Sequence, residues 1–208
     1  MAETKKYSGR VGVTNFYYAV LNDDNTIVGE APERIRFLQN MNIEFAQEIS
    51  KAHGDNQTAE IAVANGDVNV TTQFHSIPQV DQDIIFGAEV VDGISSYGGD
   101  DTPPYIALVC EVTHNDGSSS WLGLPKGKFT RPSEENQTKA DGVEFASDSV
   151  SGEFMDRDVD GYEKPKSYLK GYEETGSTAV RDALFQKVFG TAFPGTPDPV
   201  TPDDTLGE

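Results

Sequence analysis

Acidic side chains alternate along residues 156–161, DRDVDG, in the pattern of the first half of a calcium-binding loop. Asp156, Asp158 and Asp160 stand at positions 1, 3 and 5 of an EF-hand loop, and Gly161 stands at its turn position. Position 12, where such a loop has a bidentate glutamate, is Ser167. We therefore predict a solvated acidic turn here and no metal site.

Histidine and cysteine, which bind metals or act as nucleophiles in other proteins, are sparse. The three histidines, His53, His75 and His114, lie far apart and lack the close spacing of a zinc site. Cys110 is the single cysteine, so an internal disulfide is excluded. It lies in the apolar run 106–112, where we expect a buried strand and an inert thiol. These residues predict neither a metal centre nor a nucleophile–base pair.

The segment 123–129, GLPKGKF, has the glycines and the lysine of a phosphate-binding loop without its spacing. The segment is one residue short, and Phe129 stands where serine or threonine would bind Mg²⁺. Without this motif, no residue set for catalysis or for binding a cofactor remains. The sequence therefore predicts a protein that is not an enzyme and needs no cofactor.

The chain is strongly acidic, which restricts its partners. Its 208 residues include 35 acidic and 16 basic ones, giving a net charge of −19. Binding nucleic acid through phosphate neutralisation needs a basic stripe, and the nearest candidate, residues 126–128, is too short. We expect such a chain to repel DNA and anionic membranes. The opening sequence MAETKKYSGR has no apolar signal segment, so we expect synthesis in a cytoplasm.

The most regular β-pattern surrounds the dipeptide Asn65-Gly66, which is typical of two-residue type I′ turns. It predicts a β-hairpin over residues 60–74 with Val63 opposite Val68. One face of this hairpin would be apolar and would consist of Ile61, Val63, Val68 and Val70. The other face would consist of Glu60, Ala62, Asn69 and Thr71. A two-faced antiparallel sheet in a chain without a catalytic set suggests assembly rather than chemistry.

Other segments predict further strands, two helices and a tail. Strands are expected over residues 11–21, 105–113, 121–124, 129–131 and 142–155. Helices are expected over residues 76–86 and 178–189, each ended by a glycine, Gly87 and Gly190. Residues 1–190 would form one domain, and the Pro-, Asp- and Thr-rich residues 191–208 a disordered tail or linker.

Residues 35–52 fit two structures. Their apolar residues step by three or four, as on a helix: Ile35, Leu38, Met41, Phe45, Ile49 and Ala52. Alternation of Met41, Ile43 and Phe45 also suits a strand. The local pattern alone slightly favours the helix.

Several segments follow one another in an informative order: VGVTNFYYAVL, KAHGDN, AEIAVANGDVNVTTQF, IPQVDQDIIFG, YIALVCEVTHNDG, GKFTRP and VEFASDSVSGEFMDRDVDG. Their order and spacing, over residues 8 to about 163, resemble the major tail proteins (tail tube proteins) of long-tailed phages that infect Gram-positive bacteria. The resemblance implies a mainly β fold. It would be an antiparallel β-sandwich or barrel of two sheets, with one short packed helix and a second helix near the C-terminus. For residues 35–52 it implies strands that run into a long loop, and we expect strands there because tertiary context overrides helical periodicity.

The resemblance also implies a role in the virion. Copies would form stacked, hexameric rings, and double-stranded DNA would pass through the acidic bore without specific binding. The implied partners are other copies, the tape-measure protein, and the tail terminator and distal tail proteins, with no membrane. The expected lumen-facing residues are Glu60, Asp67, Asn69 and Thr71. The expected residues of a loop between rings are Glu44, Gln47, Glu48, Lys51, His53 and Asp55.

Two other functions stay open on the sequence alone. The first is an inner-tube protein of a related contractile injection or secretion machine. The second is a carbohydrate- or host-binding β-sandwich, in which Tyr17, Tyr18, Tyr97 and Trp121 would stack on sugars. A single tryptophan and the missing export signal favour core positions for these aromatic residues instead.

Overall fold

The computed structural model describes residues 7–54, 57–132 and 147–195. The strands in these ranges are β1 Arg10–Val20, β2 Glu33–Ile35, β3 Leu38–Gly54, β4 Gln57–Phe74, β5 Glu89–Val91, β6 Ile94–Ser96, β7 Ile106–His114, β8 Ser119–Thr130, β9 Asp148–Phe154 and β10 Leu169–Glu173. The helices are α1 Gln79–Phe86 and α2 Ala179–Phe189.

Eight of these strands form one antiparallel sheet that folds over on itself. The strand order is β2-β1-β7-β8-β9-β4-β3, and β10 also pairs with β8. The long strand β8 pairs with β7 and β10 along its first part and with β9 along its last residues, so the sheet turns over at β8. The first layer is β2, β1, β7, β10 and the start of β8, and the second layer is the end of β8, β9, β4 and β3. The predicted two-layer antiparallel β fold is confirmed.

Large apolar side chains fill the space between the two layers. Phe16 of β1 meets Phe74 of β4 edge to face, with ring centroids 5.0 Å apart. Cys110 lies in the same core, beside the sulfur of Met41 at 3.2 Å. Helix α1 closes one side of this core with Ile85 and Phe86. Burial of this much apolar surface is the main source of the stability of the two-layer arrangement.

A second core lies between the first layer and α2. Trp121 and Phe185 meet there edge to face, with ring centroids 6.0 Å apart. The helix approaches the sheet closely at Gly123, where a Cβ would lie 2.8 Å from a methyl group of Val188. Phe193, beyond the helix, also packs on Phe185. The second helix is therefore an integral layer of the fold.

Both predicted helices are confirmed. Helix α1 ends at Gly87 (φ 67°) and α2 at Gly190 (φ 73°), each in the left-handed conformation that glycine adopts without strain. The hydroxyl of Thr178, before α2, makes no capping bond. The carboxylate of Glu173 instead accepts the N–H of Val180 at 3.0 Å.

The predicted turn at Asn65-Gly66 is wrong. These residues lie inside β4, which pairs with β3 along its length, and Asn65 stands opposite Gln47. Gly66 and Asp67 together face Ala46 and form a β-bulge. Pairing with the whole of β3 satisfies far more backbone groups than a local hairpin would. The innermost pair of the true hairpin is Gly54 with Gln57.

The bulge explains why the predicted faces hold although the turn does not. In a regular strand, Val63 and Val68 would point to opposite sides. The extra residue at the bulge restores them to one side, because Val68 pairs with Phe45 and Val63 with Ile49. Ile61, Val63, Val68 and Val70 thus share one face of β4, with only Val68 and Val70 buried.

Residues 38–54 form a strand, as the resemblance implied, and not the helix that local periodicity favours. The strand continues to Gly54, so the expected inter-ring loop is wrong for its members from Glu44 to His53, while Asp55 lies outside the described residues. A two-residue turn of the kind predicted at Asn65-Gly66 lies at Asp92 (φ 53°) and Gly93 (φ 77°), between β5 and β6.

The strands over residues 11–21 and 105–113 are confirmed by β1 and β7. The segments 121–124 and 129–131, predicted as separate strands, belong to the single strand β8, which runs through Pro125. Strand β9 covers the last part of the segment 142–155, and the residues before 147 lie outside the described ranges. Strand β10 was missed because its five residues, LKGYE, show little alternation of apolar and polar side chains.

Candidate assembly surfaces

The second layer turns a broad polar surface away from the core. Its side chains alternate with buried or half-buried ones along the strands, as on a sheet with one wet face. We call this surface the polar face; it consists of Asn40, Asn42, Glu44, Asn69, Thr71, Gln73, Ser149, Ser151, Glu153, Lys128 and Thr130. Hydroxyl and amide groups dominate it, and neighbouring strands exchange hydrogen bonds, such as Thr71 with Ser151 at 3.3 Å.

Beyond the two layers, β3 and β4 continue as a two-stranded ribbon. We call residues 45–54 and 57–67 the arm. Every side chain of the arm that the structure describes is exposed on both faces. A free two-stranded ribbon is marginal in water without further packing. In the described part of one copy, the ring of Tyr168, 5.0 Å from that of Phe45 between centroids, packs at the base of the arm, and the rest of the arm stays exposed.

One face of the arm carries an apolar stripe. Ile49 pairs with Val63, and Lys51 with Ile61, so these four side chains share a face. The exposed apolar residues of the stripe are Phe45 (51%), Ile49 (62%), Ile61 (59%) and Val63 (56%). The opposite face has small and acidic residues, with Glu48 paired to Ala64 and Ala52 to Glu60. Contiguous exposed apolar side chains of this kind mark interaction sites.

Three of the four expected lumen-facing residues share one side of the sheet. Asn69 and Thr71 belong to the polar face, and Glu60 lies on the same side farther out on the arm. Asp67 is the second residue of the bulge. The structure thus brings this set together along β4, although its members span both the polar face and the arm.

The expected inter-ring residues line one strand. Glu44, Gln47, Glu48 and Lys51 are exposed along β3, with Glu44 and Glu48 on the side of the polar face and Gln47 and Lys51 on the side of the stripe. His53 belongs to β3 by its backbone, while its side chain and all of Asp55 lie outside the described residues. Sequence reasoning missed the stripe as an exposed feature, because the predicted hairpin placed Ile61 and Val63 on a core face.

The acidic segment 156–161 has a structural role that depends on Arg157, which is not a ligand position of the calcium-loop pattern. Arg157 is buried, and its guanidinium donates to the carbonyl oxygens of Pro125 at 2.9 Å, Lys187 at 3.1 Å and Val188 at 2.7 Å. Desolvation lowers the pKa of this guanidinium. The flanking Asp156, Asp158 and Asp160 are exposed, and within the described residues no group of acidic, histidine or cysteine side chains has the geometry to hold a metal.

The remaining candidates for chemistry lie apart. Burial raises the pKa of the Cys110 thiol to about 12, so it is not a nucleophile at neutral pH. His114 bonds through its two ring nitrogens to the hydroxyls of Ser8 and Ser120. Of the four residues proposed to stack on sugars, Tyr17, Tyr18 and Trp121 are buried in the two cores, which contradicts that use of them. Tyr97 is half-buried, and the guanidinium of Arg131 lies over its ring.

Comparison with known protein families supplies the decisive observation. The family model described as phage tail tube protein matches residues 38–193, which include the arm, the polar face and α2. The chain belongs to the phage tail tube protein family. Members of this family are structural components of the virion tail that assemble into a tube, a role that is not enzymatic.

For a tail tube protein, the exposed arm and the polar face are candidate surfaces for contact with other copies. No curated protein matches the sequence. No helix in the described ranges has the length and hydrophobicity needed to span a membrane.

Proposed function

We propose that this tail tube protein forms hexameric rings that stack into the tube of a long-tailed phage of Gram-positive bacteria, and that the genome leaves the capsid through the bore. The arm is the observation that carries the proposal. It is exposed on both faces, it bears the apolar stripe, and no strand in the described ranges pairs with its outer edges. Unpaired edges of this length invite pairing with other chains unless an assembly covers them.

The polar face is the proposed wall of the bore. It presents two carboxylates, Glu44 and Glu153, and one ammonium, Lys128, among hydroxyl and amide groups. Such a wall offers DNA phosphates no row of cations to bind. At physiological salt the Debye length is about 8 Å, so the acidic residues repel the duplex only at short range. DNA would slide along this surface without being held.

The stripe is the proposed contact between stacked rings. Packing Phe45, Ile49, Ile61 and Val63 against an adjacent copy would remove their apolar surface from water and order the arm. In the same proposal, the tape-measure protein occupies the bore during assembly, and the terminator and distal tail proteins cap the two ends of the tube. Residues 1–190 are the proposed tube domain, and residues 191–208 a tail or linker.

Electron microscopy of the purified chain tests the proposal. The chain is concentrated stepwise, and its assembly is followed by sedimentation velocity and negative-stain images. We expect rings or striated tubes with six subunits in each ring. A chain that remains monomeric at every concentration, both alone and with the proteins that initiate the tail, would refute the proposed function.

A further inference from the structure

The polar face has two edges of unlike charge. Its four strands lie in the order β3, β4, β9 and the end of β8. One row of paired residues crosses all four: Glu44 opposite Asn69, Asn69 opposite Glu153, and Glu153 opposite Lys128. The row therefore begins with a carboxylate at the β3 edge and ends with an ammonium at the β8 edge.

The acidic edge extends along β3. Glu44 and Glu48 point to the same side of this strand and are exposed. Glu44 accepts one hydrogen bond, from the amide of Asn42 at 2.8 Å. Within the described residues, neither carboxylate lies in an ion pair. This edge thus presents negative charge that no cation in the described part of one copy pairs with.

The basic edge lies at the end of β8. The ammonium groups of Lys126 and Lys128 lie 4.4 and 4.5 Å from the ring centroid of Tyr105, and the guanidinium of Arg131 lies 3.9 Å from that of Tyr97. No carboxylate in the described ranges forms an ion pair with these three cations. Three cations held on aromatic rings reverse the charge locally in a chain of net charge −19.

At the same two edges, the backbone has a side with which no described strand pairs. β3 pairs with β4 on one side, and no described strand pairs with its other side. β8 pairs with β9 through Thr130, while its pairing with β7 ends at Gly127, so no described strand pairs with the other side of residues 128–130. The end strand of the first layer, β2, has only three residues. Among the described strands, the β3 and β8 edges of the polar face thus combine opposite charge with backbone that no strand pairs with.

We propose that copies join side by side with the β3 edge of one copy against the β8 edge of the next, so that Glu44 and Glu48 face Lys128 and Arg131 of the neighbour. The contact is heterologous, since two different edges meet, and repeated contacts of this kind close into a ring. Closure tilts the strands and shifts the register between copies. Because of this shift, we assign both Glu44 and Glu48 to the contact and not one of them alone. The inference rests on the proposed function and specifies which edges close the ring.

Charge exchange between the two edges tests the inference. The acidic-edge variant carries Glu44→Lys and Glu48→Lys, the basic-edge variant Lys128→Glu and Arg131→Glu, and the exchange variant all four substitutions. The control carries Asp156→Lys and Glu163→Lys, which change two exposed acids outside the polar face in the same way as the acidic-edge variant. Circular dichroism and thermal unfolding confirm that each monomer is folded. Sedimentation velocity then gives the concentration at which half of the protein is assembled.

We expect each single-edge variant to raise that concentration at least about tenfold, because like charges then face each other. The exchange variant should return to within about threefold of the original chain, and the control should not change. Single-edge variants that assemble like the original chain would overturn the inference and leave the proposed function intact. A folded exchange variant that does not recover would also overturn it, since the edges would then not face each other. Failure of the original chain to assemble, both alone and with the proteins that initiate the tail, would instead refute the proposed function.

Discussion

Ile49 and Val63 face each other across the arm, and both side chains are mostly exposed. A directly opposed pair of branched apolar residues stabilises a sheet when it is covered, and here nothing in the described part of one copy covers it. The pair lies on the side of β4 that leads into the core at Val68 and Val70. The same sheet surface is thus part of the core in one half of the strand and an exposed apolar stripe in the other.

Replacing this pair by aspartate, Ile49→Asp with Val63→Asp, should abolish assembly and leave the monomer folded. Exposed substitutions usually change the unfolding free energy by about 0.5 kcal/mol or less, whereas a charged stripe cannot be buried against another copy without a large desolvation cost. Sedimentation velocity and urea unfolding measure the two effects. The control is Ser50→Asp with Ala62→Asp, a directly opposed pair on the other face of the arm, which should still assemble. Equal loss of assembly in both variants would show that the stripe has no special role.

Arg157→Met should lower the unfolding free energy of the monomer by about 2–3 kcal/mol. The substitution leaves the buried carbonyl oxygens of Pro125 and Val188 without their charged donor. Urea unfolding followed by the fluorescence of Trp121 gives the value. Asp158→Ala, one residue away and exposed, should stay within about 0.5 kcal/mol of the original chain. A loss no larger than that of the control would show that the guanidinium is dispensable.

Gly127→Ala should destabilise the second layer where β8 meets β9. A Cβ at this position would overlap the ring of Phe154 and lie 2.6 Å from the carbonyl oxygen of Glu153. Overpacking of this kind costs about 1–3 kcal/mol, which urea unfolding resolves. The matched control is Gly99→Ala, since no described atom beyond the two neighbouring residues lies within 4 Å of the added Cβ there. The two variants should differ by at least about 1 kcal/mol; equal stabilities would contradict the packing described at Gly127.

Cys110 should resist alkylation at pH 8 in the folded protein. Burial raises its pKa to about 12, so about one thiol in ten thousand is ionised at that pH, and solvent does not reach it. Because the folded pKa lies above the unfolded value of about 8.5, the thiol's contribution to stability is complete below pH 8.5 and declines as pH rises toward 12. The label rate should follow global unfolding, whereas a Ser149→Cys variant with the exposed thiol should react at once. Fast labelling of native Cys110 would disprove its burial.

Lysines on the proposed wall should slow DNA release from the virion. Glu60→Lys with Asn69→Lys adds two cations on the side of the polar face, where they would bind passing phosphates. We expect severalfold slower ejection, with a larger effect at low salt, while tubes still form. Asp156→Asn with Glu163→Lys changes the net charge by the same amount outside that face and serves as the control. Unchanged ejection kinetics in the wall variant would argue against DNA contact there.

Local sequence identified those elements whose signals are contained within a few residues. The helices ended where Gly87 and Gly190 allow a left-handed residue, and Cys110 was buried because a continuous apolar run suits a strand covered on both sides. Asn65-Gly66 misled because the dipeptide favours a turn only when no longer strand competes for its backbone groups. β3 does compete for them, and the bulge at Gly66 allows β4 to pair with β3 on both sides of it.

The sequence by itself therefore determined the β class, both helices and the two faces of residues 60–71, because alternation and glycine stops are local properties. Only the tertiary structure decided that Ile61 and Val63 are exposed, that β3 is a strand out to Gly54, and that Glu44 and Lys128 lie at opposite edges of one face. Burial and strand order depend on contacts with residues far away in the chain, and the local sequence does not show which residues those are.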